Sequence, residues 1–217
     1  EPPKPGEEIP SLSGLTAESQ AVEAKAKNRV LNDWAGLKAE YLKNNTDLNP
    51  DSSIKSVVMN TDEWRDLFEG YNGTNADAVH EPASYANKKL LSEALTAMKG
   101  KGNKKLAIYA GGGGSGKGTA VGQFFVEKAY PIRVDQVTDN YKKAVALFER
   151  AKAEGYTPDY VFVDRPPADA WGGVVGRAIN LRAKGKTART VPIDVAYDAN
   201  INARKTALQI LKNNKDV

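Results

Sequence analysis

At 217 residues the chain has room for one good-sized α/β domain and too little for two large ones. It has no cysteine and a single histidine, His80, which excludes disulfides, thiolate metal sites, a cysteine nucleophile and a multi-histidine zinc centre. A net charge of +4, carried by dispersed basic residues, suits anionic ligands in general but is too small for a nucleic-acid groove, so no nucleic-acid partner is expected. No apolar run approaches the roughly 18 residues that span a bilayer, and no secretory pattern is visible, so no membrane partner is expected either. The chain opens on Glu1 rather than Met, which reads as a fragment, a processed form or a trimmed form.

Residues 1–14 hold four prolines and two glycines and read as a linker or an extended arm. From Thr16 to about Asn44 the apolar positions Val22, Ala26, Val30, Trp34, Leu37 and Tyr41 recur every three or four residues. That spacing predicts one amphipathic helix, spanning 15–45, which either packs on the domain's own core or serves as a lid or docking helix. Asn44–Ser53 reads as a loop, and Ile54–Met59 as a short β-branched strand. A helix follows, with Thr61 or Asp62 as its cap and Glu63, Trp64 and Arg65 in its first turn. After a loop at Gly70–Asn75, a helix runs from Glu81 or Pro82 to about Met98, with Pro82 suited to the first turn.

Lys105–Ala110 is an apolar strand that leads directly into a run of glycines, and Lys117–Lys128 then reads as a helix. The pattern continues with a strand at Ile132–Val137, a helix at Asp139–Glu154 stopped by Gly155, and a strand at Tyr160–Asp164. A helix at Pro167–Ala183 is weakened by Gly172, Gly173 and Gly176; a polar segment, Lys184–Arg189, separates it from a last helix at Pro192–Leu211. Strands alternating with helices predict an α/β fold: a three-layer sandwich with a mostly parallel central sheet and helices on both faces.

The segment Gly111-Gly112-Gly113-Gly114-Ser115-Gly116-Lys117-Gly118-Thr119 fits the G-x-x-x-x-G-K phosphate-loop signature, between a strand and a helix, and makes the expected fold P-loop NTPase-like over residues 54–212. Glycines allow positive φ and close approach to an anion. Successive N–H groups then point into one concavity, and the helix behind adds its positive dipole end. Lys117 brings a full charge toward the β- and γ-phosphates of ATP or GTP. The position after the lysine is Gly118, and the hydroxyl comes one residue later, a spelling shared with nucleoside-monophosphate kinases. The Mg²⁺ hydroxyl is therefore Thr119 or Ser115, with Thr119 preferred.

A phosphate loop gives nucleotide binding; phosphoryl transfer to a hydroxyl also needs an orienting carboxylate and cations for the spreading charge. Asp62 sits at the carboxyl end of a strand, where active sites of open parallel sheets lie. Arg165, Arg177, Arg182 and Arg189 supply cations in the second half, and Arg189 ends a polar loop that could close on phosphates.

These pieces together resemble the zeta-toxin family of P-loop kinases. Asn60-Thr61-Asp62-Glu63-Trp64-Arg65 is similar to the family's strand-end Asp followed by an aromatic and a basic residue. His80-Glu81-Pro82-Ala83-Ser84 is similar to its His with a Ser four residues on. Arg177, and then Thr187-Ala188-Arg189-Thr190-Val191-Pro192, are similar to its late arginine helix and T-A-R-x-x-P segment. The order departs from the family's: here Asp62 and His80 precede the loop, as in a circular permutation.

The resemblance implies a kinase that moves the γ-phosphoryl group of ATP or GTP, with Mg²⁺, to a hydroxyl of a nucleotide-sugar such as UDP-N-acetylglucosamine or of a dinucleotide such as NAD. Asp62 would be the base, Lys117, Arg177 and Arg189 the charge stabilisers, and Arg65, His80, Ser84, Asp135 and Thr138 the acceptor site. Asp135 is the alternative acid. Such a protein would act as a toxin in a cytoplasm, bacterial or that of a target cell, with a possible antitoxin partner. The alternatives are a nucleoside-monophosphate kinase and a nucleotide-binding switch module of a larger protein.

Overall fold

The computed structural model describes residues 8–48, 54–98, 104–124, 130–185, 188–189 and 191–214. The elements, in chain order, are helices α1 (Ala17–Asn32) and α2 (Trp34–Asn45), strands β1 (Thr46–Leu48) and β2 (Ile54–Asn60), and helices α3 (Thr61–Arg65) and α4 (His80–Ala97). There follow β3 (Lys105–Ala110), α5 (Lys117–Phe124), β4 (Ile132–Gln136), α6 (Tyr141–Ala153), β5 (Thr157–Phe162), α7 (Pro167–Ala183) and α8 (Ile193–Asn213). The chain is α/β, with one five-stranded sheet in the order β1-β2-β4-β3-β5. Only the β1–β2 pairing is antiparallel; the other three are parallel. No described helix is long and apolar enough to cross a membrane.

The sheet order is what brings distant residues together. β4 lies between β2 and β3, so Asp135 is the register partner of both Asn60 and Tyr109. Three carboxyl ends therefore stand side by side: one leads to Asp62, one carries Asp135, and one runs into the glycine loop. A parallel sheet keeps those ends adjacent whatever the chain order of the strands.

Val57, Met59, Leu106, Ile108, Ile132 and Val134 share one sheet face and are buried with residues of α1, α2, α4, α6 and α8. Ala107 and Tyr109 face the other way, with Tyr130 and Val161 packed on them. The second face also holds a buried polar group, in which Arg133 donates to the Ser56 hydroxyl at 3.0 Å and pairs with Asp47 of β1 at 3.3 Å. The short strand β1 falls within the expected loop; three residues are too few for an apolar alternation to mark them.

The expected single helix at the N-terminus is two. Thr16 caps α1, accepting from the Ser19 N–H, but Asp33 leaves helical geometry at φ −128° and ψ 41°. Its N–H still bonds back to the Arg29 carbonyl, and its carbonyl accepts from the Leu37 N–H, so the turn is made with few backbone bonds lost. Periodicity continues through the break because both helices bury toward one core. The arm is not free either: Ile9 is buried in the main cluster, and the Leu12 N–H donates to Glu23. Residues 1–7 of the arm lie outside the described residues, as does the predicted helix end at Lys128.

The helix pair is built into the core rather than resting on it. Tyr41 stacks on Trp64 at 3.8 Å between centroids, and Trp34 stacks on Trp64 at 5.6 Å. The Tyr41 hydroxyl donates to the Val58 carbonyl and accepts from the Asn60 N–H, both at 2.9 Å, at the end of β2. A Tyr41→Phe variant leaves that buried N–H without a partner and should lose about 1–3 kcal/mol of stability. The expected readout is a lower urea midpoint with an unchanged slope; an unchanged midpoint would contradict this role.

β5 begins three residues earlier than the apolar pattern suggests, because Pro158 and Asp159 disguise it. As an edge strand it tolerates a proline. α7 has its predicted bounds, Pro167–Ala183, despite its glycines. A side chain at Gly173 would meet the Gly114 carbonyl oxygen at 3.0 Å, so one of those glycines answers to the loop packed against it.

Candidate active site

Gly111, Gly114 and Gly116 take positive φ values of 146°, 75° and 89°, so the loop folds only with glycine at those positions. Packing adds a second demand. A side chain on Gly111 would lie 2.7 Å from the Val163 carbonyl oxygen; one on Gly112 would collide with the Asn200 amide, and one on Gly114 with the Ala170 carbonyl. The loop is thus seated against the exit of β5, α7 and α8. A Gly114→Ala change is strained twice, by φ and by collision.

Lys117 opens α5 and folds back over the loop. Its ammonium donates to the Gly111 and Gly112 carbonyls at 2.9 and 3.3 Å and lies 3.7 Å from Asp135. Burial pushes Lys117 below the ordinary lysine range, opposed by the charges of Asp135 and Asp62. Burial likewise raises the Asp135 carboxyl, opposed by Lys117 and reinforced by Asp62. Arg177 of α7 acts on Lys117, Asp135 and Glu63, so its charge reaches this end of the sheet.

Asp62 is not the helix cap expected of Thr61 or Asp62. Asn60 takes that place, accepting from the Asp62 N–H through its side chain. The Asp62 carboxylate is thereby left for other partners. It holds Arg65 at 2.5 Å and Arg189 at 3.1 Å, the second from 127 residues away. Arg65 is buried beneath it and donates from Nη2 to His80 Nδ1 at 3.0 Å; its Nε is buried without a hydrogen-bond partner. Asp62, Arg65, His80 and Arg189 are therefore one connected cluster.

Burial and the Arg65 charge lower the His80 pKa, with Glu81 and Asp77 opposing and Arg189 assisting. The ring is neutral with Nδ1 accepting, which leaves the proton on Nε2. Because the folded value lies below the free value of about 6.5, the unfolded chain takes up the proton first as pH falls. The stability contributed by neutral His80 is present above about pH 6.5 and lost as the pH drops below it. Urea melts between about pH 7 and 5 should show that slope flattened in His80→Gln relative to the native chain; parallel curves would contradict the assignment.

One expected residue, Thr138, is engaged elsewhere. Thr138, two residues beyond β4, is buried, and its hydroxyl is engaged with the Tyr160 hydroxyl of β5 at 2.8 Å. Ser115 Oγ is buried without a hydrogen-bond partner. Thr119 is exposed in the first turn of α5, and Ser84 is half-buried one turn along α4 from His80. Thr187 and Thr190 lie outside the described residues; Ala188 is buried and anchors Arg189.

Asn200 and Arg165 are the participants that sequence reasoning missed or left unassigned. Asn200 Nδ2 donates to the Gly113 carbonyl at 3.3 Å, and Arg165 Nη1 donates to the Gly114 carbonyl at 3.1 Å. A signal for Asn200 was present: it sits on the stripe Ala196, Asn200, Ala203, Ala207, Ile210, where every other residue is small or apolar.

Chemically, the arrangement offers backbone N–H groups and an ammonium for an anion, with the carboxylates of Asp62 and Asp135 and the guanidinium groups of Arg65, Arg165, Arg177 and Arg189 around it. In comparisons with known proteins, no family model matches the chain and no curated protein matches it.

Proposed function

We propose that the chain is a P-loop phosphotransferase, a three-layer α/β sandwich of the P-loop NTPase type, that moves the γ-phosphoryl group of ATP or GTP to a hydroxyl of a small acceptor. One observation carries the reading. The lysine of the glycine loop lies 3.7 Å from Asp135 of β4 and within the field of Asp62, which opens α3 just past the end of β2. Active sites of open parallel sheets form at that edge.

In this reading Gly111–Thr119 cradle the phosphates, and Lys117 leaves its carbonyls for the β/γ oxygens. Arg189 leaves Asp62 as the acceptor enters and, with Arg177, stabilises charge on the phosphoryl group in flight. The freed Asp62 carboxylate takes the acceptor's hydroxyl proton as the acceptor O–P bond forms and the β–γ bridge O–P bond breaks, releasing ADP or GDP. Arg65 and His80 set the Asp62 geometry.

Mg²⁺ would be held by hard oxygen donors, for which the Asp135 carboxylate beside Lys117 and the Thr119 hydroxyl in the first turn of α5 are the candidates. Such an ion is ordinarily held by one or two protein oxygens plus the phosphates. When bound, the ion neutralises charge between the β- and γ-phosphates.

The zeta-toxin resemblance extends this proposal to a nucleotide-sugar or dinucleotide acceptor, a toxic outcome in the cytoplasm and an antitoxin partner. Incubation with ATP or GTP and a panel of UDP-N-acetylglucosamine, NAD and nucleoside monophosphates tests it. The expected result is a gain of one phosphoryl group by the nucleotide-sugar or NAD, seen by mass spectrometry. Gain by a monophosphate alone would assign the monophosphate-kinase alternative, and nucleotide binding without any transfer would assign the switch module.

A further inference from the structure

We infer that Asn200 is a positioning residue that aims the backbone of the phosphate loop from the far helix α8, an inference that rests on reading Gly111–Thr119 as a nucleotide site. Asn200 is 5% exposed in the middle of a helix whose buried stripe is otherwise Ala196, Ala203, Ala207 and Ile210 with the neighbouring Thr206. A buried amide on such a stripe is costly unless its polar atoms are engaged. Here Nδ2 donates to Ala196 O within the helix at 2.8 Å and to Gly113 O across to the loop at 3.3 Å. The fit is mutual, since a side chain on Gly112 would collide with the same amide.

The consequence follows from peptide planarity. In a trans peptide the C=O and the next N–H point in opposite directions. Holding Gly113 C=O toward Asn200 turns the Gly114 N–H away from α8. Holding Gly114 C=O toward Arg165 turns the Ser115 N–H back into the loop, where it donates to the Gly112 carbonyl at 3.3 Å, and Ala170 presses on Gly114 from α7. The Gly114 amide donor is thereby set before any anion arrives, on a loop closed by the Ser115–Gly112 bond. Preorganised donors bind an anion without paying to turn the loop. Asn200 touches no substrate in this scheme; it acts through Gly113.

The test uses the full chain and MgADP as the probe, with affinity measured by calorimetry and folding by thermal melts without nucleotide. Asn200→Leu keeps the size and removes the donor. Asn200→Asp keeps the shape and replaces the donor with an acceptor, and serves if the leucine variant does not fold. Each is expected to weaken MgADP about tenfold or more. Thr206→Val, on the same buried face of α8, is the structural control and should lower the melting temperature while leaving MgADP affinity unchanged. Native affinity in a folded Asn200 variant overturns the inference, as does an equal loss in Thr206→Val, which would mean that any damage to α8 suffices. A native chain that does not bind MgADP overturns the phosphate-loop reading itself, and the two failures are told apart by whether the native chain or only its variants depart from expectation.

Discussion

A Lys117→Ala variant is expected to fold and to lose nucleotide turnover by on the order of 10³-fold or more. The ammonium is buried at a cost, and among the described residues its polar partners are two loop carbonyls and Asp135. Removing it therefore takes little from the fold. For a triphosphate it takes away the one full positive charge inside the loop, where low dielectric makes that charge count most. A melting curve close to the native one, with no detectable ATP turnover in a coupled ADP assay, is the predicted pair of results. Native turnover would remove the loop from the chemistry.

Asp62→Asn should separate binding from transfer. MgADP affinity stays near the native value, because Asp62 stands on the acceptor side, while transfer falls about 10²–10⁴-fold. The neutral amide also loosens Arg189 and Arg65, whose charges it no longer balances. Asp135→Asn is the companion measurement. It sits beside Lys117, and its loss should raise the Mg²⁺ concentration needed for nucleotide binding. If instead Asp135→Asn abolishes transfer with binding intact and Asp62→Asn does not, the two carboxylates exchange roles.

The glycine loop, the strand before it and the helix after it were legible because each carries a strong local signal: a spelling, an apolar run, a lysine at the right offset. α7 was legible to the residue. What stayed hidden is what depends on contacts between distant segments. The glycines at 112 and 114 read as anion-facing, yet packing also requires them, through Asn200 and Ala170. The break at Asp33 was invisible because the apolar period runs through it. Asp62 read as a cap by residue preference, until the side chain of Asn60 took the N–H that a cap would satisfy. Thr138 was placed in the site by motif position, but it is buried with its hydroxyl engaged by Tyr160. The meeting of Asp62 with Arg189 is set by sheet order, and no local pattern records it.

The aromatic stack described in the fold has an optical consequence. Of the three tryptophans, Trp34 and Trp64 lie in the column whose last ring is Tyr41, with Trp64 two residues beyond Asp62. The third, Trp171, follows the alanine that presses on Gly114, and its indole nitrogen is buried without a hydrogen-bond partner. Ultraviolet emission from this chain therefore originates beside the loop and beneath the carboxylate, and the native fluorophores can report occupancy of either half without a dye.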